Sequence, residues 1–390
     1  MGTLTRIPSI DILRGTVMII MALDHTRDFF HETAMTADPL DPATTSIILF
    51  FTRWITHFCA PVFVFLSGLS MYLSAQNKTV AQASAFLFKR GLWLVFAEIV
   101  IVSLGITYNP LYNFIILQVI WAIGISMVLL SVVSRISWAL VLAVGIIIVF
   151  GHDLLIYANL PQTGAISILL KIFLTAAGTV LPLDKTHFVG VFYAVLPWTG
   201  IMFLGYATGK LYRVEFKAFS RKKLLIASGS FLIILFFTLR FINGYGDPAP
   251  RKHYPEITQN VLSFMNVSKY PPSLMYFCMT IGPALIMLSV LEQTQNRISK
   301  VISTYGSVPF FYYIIHFYLL HFLLAIAFFL TGRPMSQIVQ VPFLFRPSVF
   351  GFSLQVVYLI WIFVVASLYR PCLWFKTYKT KHNQWWLKYI

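Results

Sequence analysis

A cluster of ionisable residues lies close to the N-terminus: Asp24, His25, Arg27, Asp28 and His31. On a continuous helix Asp24 and Asp28 share one face, and Arg27 lies three residues after Asp24, so its guanidinium can bridge both carboxylates. A histidine here would titrate near neutral pH and could accept a proton from an attacking amine or hydroxyl, while a carboxylate fixes its tautomer. His25 and His31 are separated by about 240° of helical turn, so they share a pocket only where the helix ends. An ion-pair network at a helix end, without catalysis, is the alternative interpretation.

A second polar group lies in TRWITHFCAP, at the start of the next apolar segment. Antiparallel neighbouring helices would bring its Arg53, Trp54 and His57 beside the first cluster. His25, His31 and His57 therefore compete for the role of general base. His57 alone is equally well explained as an interfacial histidine bonded to a backbone carbonyl.

Later segments offer further residues for the same pocket. YGSVPFFYYIIHFYLLH carries Tyr313 and His316 within one helical turn. Aromatic stripes in membrane helices most often pack, and a lone histidine there is often a structural hydrogen-bond donor. Arg240 and Lys269 flank a loop rich in glycine, proline and tyrosine, which favours ordered turns. This loop is predicted either to cap an outward-facing pocket or simply to connect two helices.

Three residues are candidates for binding a donor cofactor. Glu98 lies eight residues after Arg90, about 12 Å into an apolar segment at 1.5 Å per residue, and should face a cavity or a partner. Lys210 and Arg213 belong to a loop with six basic residues that could attract an anionic donor bearing a nucleotide, although topology alone explains such a loop. The sequence has no Walker motif, GxGxxG or His/Cys metal pattern, which disfavours an ATPase, a nucleotide-fold oxidoreductase and a metalloprotease. We predict no metal site.

Composition predicts the elements that hold these residues. The 390 residues are 58% hydrophobic and 11% charged, against about 25% charged in soluble globular domains. We predict an all-α, polytopic membrane bundle of about ten transmembrane helices, forming a single domain over residues 1–390 without a separate soluble domain. The predicted spans are 10–30, 58–74, 86–106, 114–133, 136–157, 188–211, 224–242, 273–291, 310–330 and 350–369.

Charge distribution predicts the orientation of this bundle. With the N-terminus inside, most of the 29 basic residues lie on the cytoplasmic side and most of the 13 acidic residues lie opposite, so both termini are predicted to be cytoplasmic. The same rule explains the net charge of +16 without nucleic acid, which we do not expect as a partner. The segment 166–177 is predicted to be an interfacial or re-entrant helix and not an eleventh span. Cys59, Cys278 and Cys372 are too far apart in sequence to suggest a disulfide framework.

The motifs together resemble a known family. SIDILRGTVMIIMALDH followed by FCAPVFVFLSG is similar to the catalytic domain of the heparan-α-glucosaminide N-acetyltransferases. RWITHFCAPVFVFLSG, LPWTGIMFLGYATG, LRFINGYGDP, KYPPSL and VPFFYYIIH are similar to its bacterial branch, so the resemblance covers nearly the whole chain. In the eukaryotic pattern an asparagine stands at the place of His25, and the proposed catalytic histidine lies in the following loop, where His31 is nearest. The resemblance therefore leaves the general base open among His25, His31 and His57.

The resemblance implies a transmembrane acyltransferase that moves an acetyl group from cytoplasmic acetyl-CoA to an extracytoplasmic amino sugar or glycan, in a bacterial inner membrane. A histidine would act as general base or as a transient acetyl carrier. The expected catalytic residues are His25, His31, His57, Asp24 and Asp28. The expected acceptor-binding residues are Arg27, Arg53, Trp54, Arg240, Lys269, Tyr313 and His316, and the expected donor-binding residues are Glu98, Lys210 and Arg213.

Expected partners are membrane lipids, the carbohydrate acceptor and, from the family, a second copy in a homodimer. The alternative function is a proton-coupled transporter or flippase of a sugar or lipid-linked substrate, in which the same charges form a proton relay.

Overall fold

The computed structural model describes residues 7–158, 160–161, 163–175, 179–339 and 342–389, and these residues are mostly helical. The α-helices are α1 Pro8–Phe30, α2 Ile47–Ile55, α3 Cys59–Ala75, α4 Val80–Ala97, α5 Ser103–Thr107, α6 Val119–Val133, α7 Trp138–Gly151, α8 Gly164–Leu170, α9 Val195–Thr208, α10 Ala218–Ile242, α11 Ile257–Met265, α12 Leu274–Leu291, α13 Arg297–Ser307, α14 Pro309–Leu330 and α15 Leu354–Lys381. The strands are β1 Phe114–Leu117, β2 Thr179–Pro182 and β3 Phe188–Val191. A π-helical segment, Glu98–Val102, joins α4 to α5.

Among the described residues, six helices are long and apolar enough to cross a bilayer. Each overlaps a predicted span, which confirms a helical integral membrane protein. They are Ile47–Ala75, Trp138–Leu155, Ala218–Ile242, Leu274–Leu291, Pro309–Leu330 and Leu354–Lys381. We call the end of the bundle at which α1 ends the upper end.

A small sheet at the upper end corrects the prediction of an all-α chain. Strand β3 lies between β1, to which it is parallel, and β2, to which it is antiparallel, with Phe114 opposite Phe188 and Leu181 opposite Val189. The predicted spans 114–133 and 188–211 therefore begin as strands and become helical only at Val119 and Val195, the first residues of α6 and α9. Short apolar runs rich in β-branched residues fit a strand as well as a helix, which is why hydropathy alone assigned them to spans.

Helices α3 and α9 approach each other through glycines. A Cβ atom added at Gly205 would lie 2.0 Å from the carbonyl oxygen of Phe65, and one added at Gly68 would lie 2.1 Å from that of Met202. Small residues permit such backbone contact within membranes. Close backbone approaches of the same kind occur at Gly15, Gly306, Gly91 and Gly124, whereas a Cβ added at Gly200 or Gly209 would meet neighbouring side chains.

The segment before α15 is fixed to the end of α1. His31 forms a parallel β-bridge with Phe352, whose N–H donates to the carbonyl of Phe30 at 2.7 Å. Arg346 donates through Nη2 to the carbonyl of His31 at 2.7 Å. These contacts hold one upper loop across the mouth of the bundle.

The predicted interfacial segment 166–177 is helical where it is described. Helix α8 continues as a π-helical segment, Lys171–Thr175. Residues 176 and 177 lie outside the described residues.

Candidate active site

A cavity of about 430 Å³ opens at the upper end beside α1. Its apolar wall reaches down to Val17, seven residues before Asp24 and so about 10 Å deeper at 1.5 Å per residue. Its polar lining consists of Asp24, His25, Arg27, Asp28, Arg53, Thr56, Gln118, Tyr193, Lys269, Tyr270 and Tyr313. The cavity therefore combines an apolar depth with a charged rim.

Asp24 is the centre of the charged rim. The Arg53 Nη1 atom lies 3.2 and 3.1 Å from its two carboxylate oxygens and also donates to the Thr56 hydroxyl at 2.8 Å. Arg27 Nη2 lies 3.3 Å from Asp24 Oδ1, and Lys269 Nζ lies 4.0 Å from Oδ2. Because Asp24 and Arg53 are both buried, each charge depends on the other to offset its loss of hydration.

Arg27 joins this group to a more exposed carboxylate. Its Nη2 atom also donates to Asp28 at 2.6 Å, and the Asp28 side chain is 40% exposed. The predicted bridging of Asp24 and Asp28 by Arg27 is thus present. It follows that Asp28 lies where the cavity meets solvent, while Asp24 lies inside.

His25 lines the cavity and is half-buried. Its ring lies 5.3 Å from that of His316 and 4.4 Å from that of Phe317, centre to centre. Within the described part of the chain its ring forms no hydrogen bond, so its nitrogens are available to a molecule in the cavity. An imidazole beside the fixed carboxylate of the preceding residue can accept and return a proton.

Neither His31 nor His57 lines this cavity. His31 follows α1, where its Nδ1 contacts the Thr33 hydroxyl at 3.0 Å. Burial and the nearby Arg27 guanidinium lower the pKa of His31 below its ordinary value. His57 is fully buried, with its ring 5.4 Å from that of Tyr276, and neither ring nitrogen has a hydrogen-bond partner among the described residues.

Tyr313 and His316 face α1 from α14. The Tyr313 hydroxyl is buried without a partner among the described residues, and Tyr313 lines the cavity. His316 stacks on Tyr312 at 5.6 Å and contacts the carbonyl of that residue through Nδ1 at 3.2 Å, which leaves its Nε2 without a partner in the same part of the chain. Tyr313 thus contributes to the wall, and His316 lies behind His25.

Two predicted acceptor-binding residues lie away from the cavity. Trp54 donates through Nε1 to the carbonyl of Met265 at 3.2 Å. Arg240 is buried and donates to the carbonyls of Phe264 at 2.9 Å and Ser263 at 2.7 Å. In the structure both side chains bind backbone of the loop that contains α11.

The predicted donor-binding residues occupy two other places. Glu98 is fully buried behind the cavity wall, where its Oε1 accepts the N–H of Gln118, a wall residue, at 2.6 Å. Lys210 and Arg213 line a separate surface depression, in which Arg213 pairs with Glu215 at 3.1 Å. The structure therefore does not bring these three residues together.

Several polar wall residues and one anchoring carboxylate are absent from the site that the sequence predicts, among them Gln118, Tyr270 and Asp247. Gln118 and Tyr270 line the cavity, and Asp247 binds the segment that carries Lys269, accepting from the N–H of Ser268 at 2.9 Å. The turn-forming sequences GYGDP and KYPPS were the available signal, since an aspartate in such a turn often binds nearby N–H groups.

Fold and site define an integral membrane protein whose helices enclose a charged cavity with an accessible histidine. The family model for heparan-alpha-glucosaminide N-acetyltransferase, catalytic, matches residues 6–238, and the chain belongs to this family. No curated protein matches the chain. Membership of the family implies a transmembrane acetyltransferase, as the motifs predicted. The matched region contains α1 to α9 and most of α10, and so includes Asp24, His25 and Arg53.

Proposed function

We propose that the protein transfers an acetyl group from cytoplasmic acetyl-CoA to an amino or hydroxyl group of an extracytoplasmic carbohydrate. The observation that carries this proposal is the half-buried His25, which lines a cavity beside the Asp24 carboxylate in a member of an acetyltransferase family. The same arrangement offers a base, a charged rim for a polar acceptor and an apolar depth for an acyl carrier.

In this proposal His25 is the general base. The acceptor nitrogen or oxygen attacks the thioester carbonyl, the new bond to carbon forms, and the carbon–sulfur bond breaks. His25 takes the acceptor proton and returns it to the CoA sulfur, so no net proton remains on the enzyme. Asp24, held by Arg53, stabilises the imidazolium, while Arg27, Arg53 or the Tyr313 hydroxyl stabilises charge on the carbonyl oxygen.

An acetyl-histidine intermediate is the alternative route. Trapping labelled acetyl-enzyme in the absence of acceptor would favour it. His31 and His57 lie outside the cavity, which supports assigning either role to His25.

We propose about ten crossings with both termini cytoplasmic, in a bacterial inner membrane. Beyond the six long apolar helices, the remaining crossings would be α1, the continuous helix from α4 to α5, α6 and α9. The upper end would then be extracytoplasmic, as the positive-inside rule favours. Lys210 and Arg213 would meet the CoA phosphates at the opposite end, and Glu98 would lie along the donor's path. Membrane lipids and a second copy of the chain remain proposed partners.

The test is release of free CoA by purified protein given acetyl-CoA and a panel of amino and hydroxyl sugars. We expect release only with a suitable acceptor, and a fall of about 10²- to 10⁴-fold in turnover for His25→Ala. His382→Ala, an exposed histidine after α15, is the matched control and should retain wild-type turnover.

Substrate movement across vesicles without CoA release would instead support the transporter. Full activity of His25→Ala together with inactive, folded His31→Ala or His57→Ala would move the base to another residue.

A further inference from the structure

A groove lies at the lower end of the bundle, opposite the upper end, between α4 and the segment that follows α15. Its volume is about 430 Å³. The residues that line it are Lys89, Leu92, Trp93, Trp385, Trp386 and Tyr389. We call it the tryptophan groove. Among the described residues it shares no lining residue with the active-site cavity, so it is a separate site.

The segment after α15 folds back onto α4 and forms one side of the groove. It contains a short 3₁₀ helix, Trp385–Lys388, in which Leu387 is buried in the core. The ring of Tyr389 lies 6.1 Å from that of Phe86 in α4, centre to centre. These contacts fix the two walls relative to each other.

The groove lies at the level where a membrane surface would cross the bundle. Helix α3 begins at Cys59 beside the active-site cavity, so it ends at the lower end, and α4 starts there. Lys89 lies three residues after the start of the proposed span 86–106, about 5 Å into it at 1.5 Å per residue. Tryptophan and tyrosine concentrate where lipid headgroups meet hydrocarbon, and a lysine at this depth can extend its ammonium to the headgroups. The groove therefore has the composition of a lipid interface.

The two chain segments that form the groove carry positive charge alone. Residues 76–97 and 354–390 contain no aspartate or glutamate, and their basic residues are Lys78, Lys89, Arg90, Arg370, Lys376, Lys379, Lys381 and Lys388. Lys89 is exposed, and in the described part of the chain no carboxylate lines the groove. A basic pocket at a membrane surface attracts anionic headgroups.

An apolar stripe leads from the groove toward the middle of the proposed span. Phe88, Leu92 and Phe96 follow one another at intervals of four residues, so they share one face of α4. Their side chains are 45%, 48% and 52% exposed. Leu92 also lines the groove, so the stripe begins beside Lys89. A ligand with a charged head and an apolar chain matches this arrangement, whereas a free phosphate would leave the stripe uncovered.

We propose that the tryptophan groove binds one anionic phospholipid. The lipid phosphate lies at Lys89, the glycerol region lies against Trp385, and an acyl chain follows Leu92 and Phe96. Because the groove is separate from the cavity with His25, this binding does not depend on the proposed catalysis.

The test is native mass spectrometry of the purified full chain in detergent, titrated with dioleoylphosphatidylglycerol or dioleoylphosphatidylcholine. We expect tighter binding of the phosphatidylglycerol. Lys89→Gln should weaken its binding about fivefold, as for the loss of one lysine beside an anionic lipid surface, and leave the phosphatidylcholine unchanged. Trp385→Ala should weaken both lipids by a similar factor, because the indole contacts the region that they share. Lys222→Gln, an exposed lysine of α10 outside the groove, is the matched control and should bind both as wild type does.

The other outcomes overturn the inference. Equal binding of the two lipids by the wild type, or an equal effect of Lys89→Gln on both, removes the anionic site. Competition by glycerol 3-phosphate at the concentration of the lipid indicates a site for free phosphate, and displacement by acetyl-CoA assigns the groove to the donor. A monomer formed by Trp385→Ala from a dimeric wild type, with lipid binding unchanged, assigns the groove to a second copy. Should Lys89→Gln fail to fold, the wild-type preference must still decline with added salt, and a salt-independent preference rejects the inference.

Discussion

Asp24 is the residue on which the charges of the cavity depend. Its carboxylate contacts Arg53 at 3.1 Å and Arg27 at 3.3 Å, so Asp24→Asn leaves two guanidinium groups without full compensation. We expect a loss of about 3–5 kcal/mol in the free energy of unfolding, as for other broken buried pairs. Thermal unfolding of the purified protein in detergent measures the change.

The matched control is Asp28→Asn. Its carboxylate is 40% exposed, so we expect a loss of at most about 1 kcal/mol. Equal effects of the two substitutions would contradict the central position of Asp24.

His31 should make stability depend on pH in a defined range. Burial and the Arg27 charge lower its pKa from the ordinary value of 6.5. Above pH 6.5 the imidazole is neutral in folded and unfolded chains alike. Below it the unfolded chain binds the proton first, so the free energy of unfolding falls until the pH passes the lower folded pKa.

His31→Gln removes this titration. We expect the difference in melting temperature between wild type and His31→Gln to be constant above pH 7 and to change progressively below pH 6.5. A difference that is constant across the whole range would show that His31 has the same pKa in both states.

The sequence predicts contacts within the site only between residues of the same helix, because their spacing determines which of them meet. Arg27 bridges Asp24 and Asp28 because residues three or four apart must meet. The sequence does not state how a helix is rotated toward its neighbours, and this rotation places His25 in the cavity and His57 behind its wall. Spacing also does not reveal that the guanidinium of Arg240 donates its hydrogen bonds to backbone carbonyls of a distant loop.

At the scale of elements, α3 and α9 can cross at close range because glycines, which have no side chain, lie at their contact. Gly205→Ala would place a methyl group 2.0 Å from the Phe65 carbonyl oxygen, so the helices must separate. We expect a loss of about 1–3 kcal/mol in the free energy of unfolding, measured as a lower melting temperature in detergent. Gly151→Ala, where a Cβ meets nothing within 4 Å, is the control and should melt at the wild-type temperature.

Long apolar runs were sufficient to predict the helices, whereas short ones were not. The run that forms α10 has 25 consecutive helical residues, and a helix satisfies the backbone hydrogen bonds of such a run within the run itself. The four residues of β1 pair with β3, some 70 positions later, and no local sequence pattern predicts this pairing. Strands formed by distant segments are therefore the part of this fold that hydropathy misses.

At the scale of the whole molecule, the proposed orientation can be tested by labelling. The turn between β2 and β3 contains the exposed Lys185, and the start of α10 contains the exposed Lys222. In intact cells a membrane-impermeant maleimide should label Lys185→Cys but not Lys222→Cys, which should react only after permeabilisation. The native Cys59, Cys278 and Cys372 are buried and give a low background. The reverse labelling pattern would show that the protein has the opposite orientation in the membrane.

The cavity is lined both by residues within the family match and by residues that follow its end at position 238. Residues up to 238 provide His25, whereas Lys269, Tyr313 and Phe343 come later in the chain. A chain severed between α10 and α11 would yield two halves, each carrying an incomplete pocket, and turnover would return only on their reassembly. Grafting the first half onto another scaffold would likewise transplant His25 and leave behind the wall that the later residues provide.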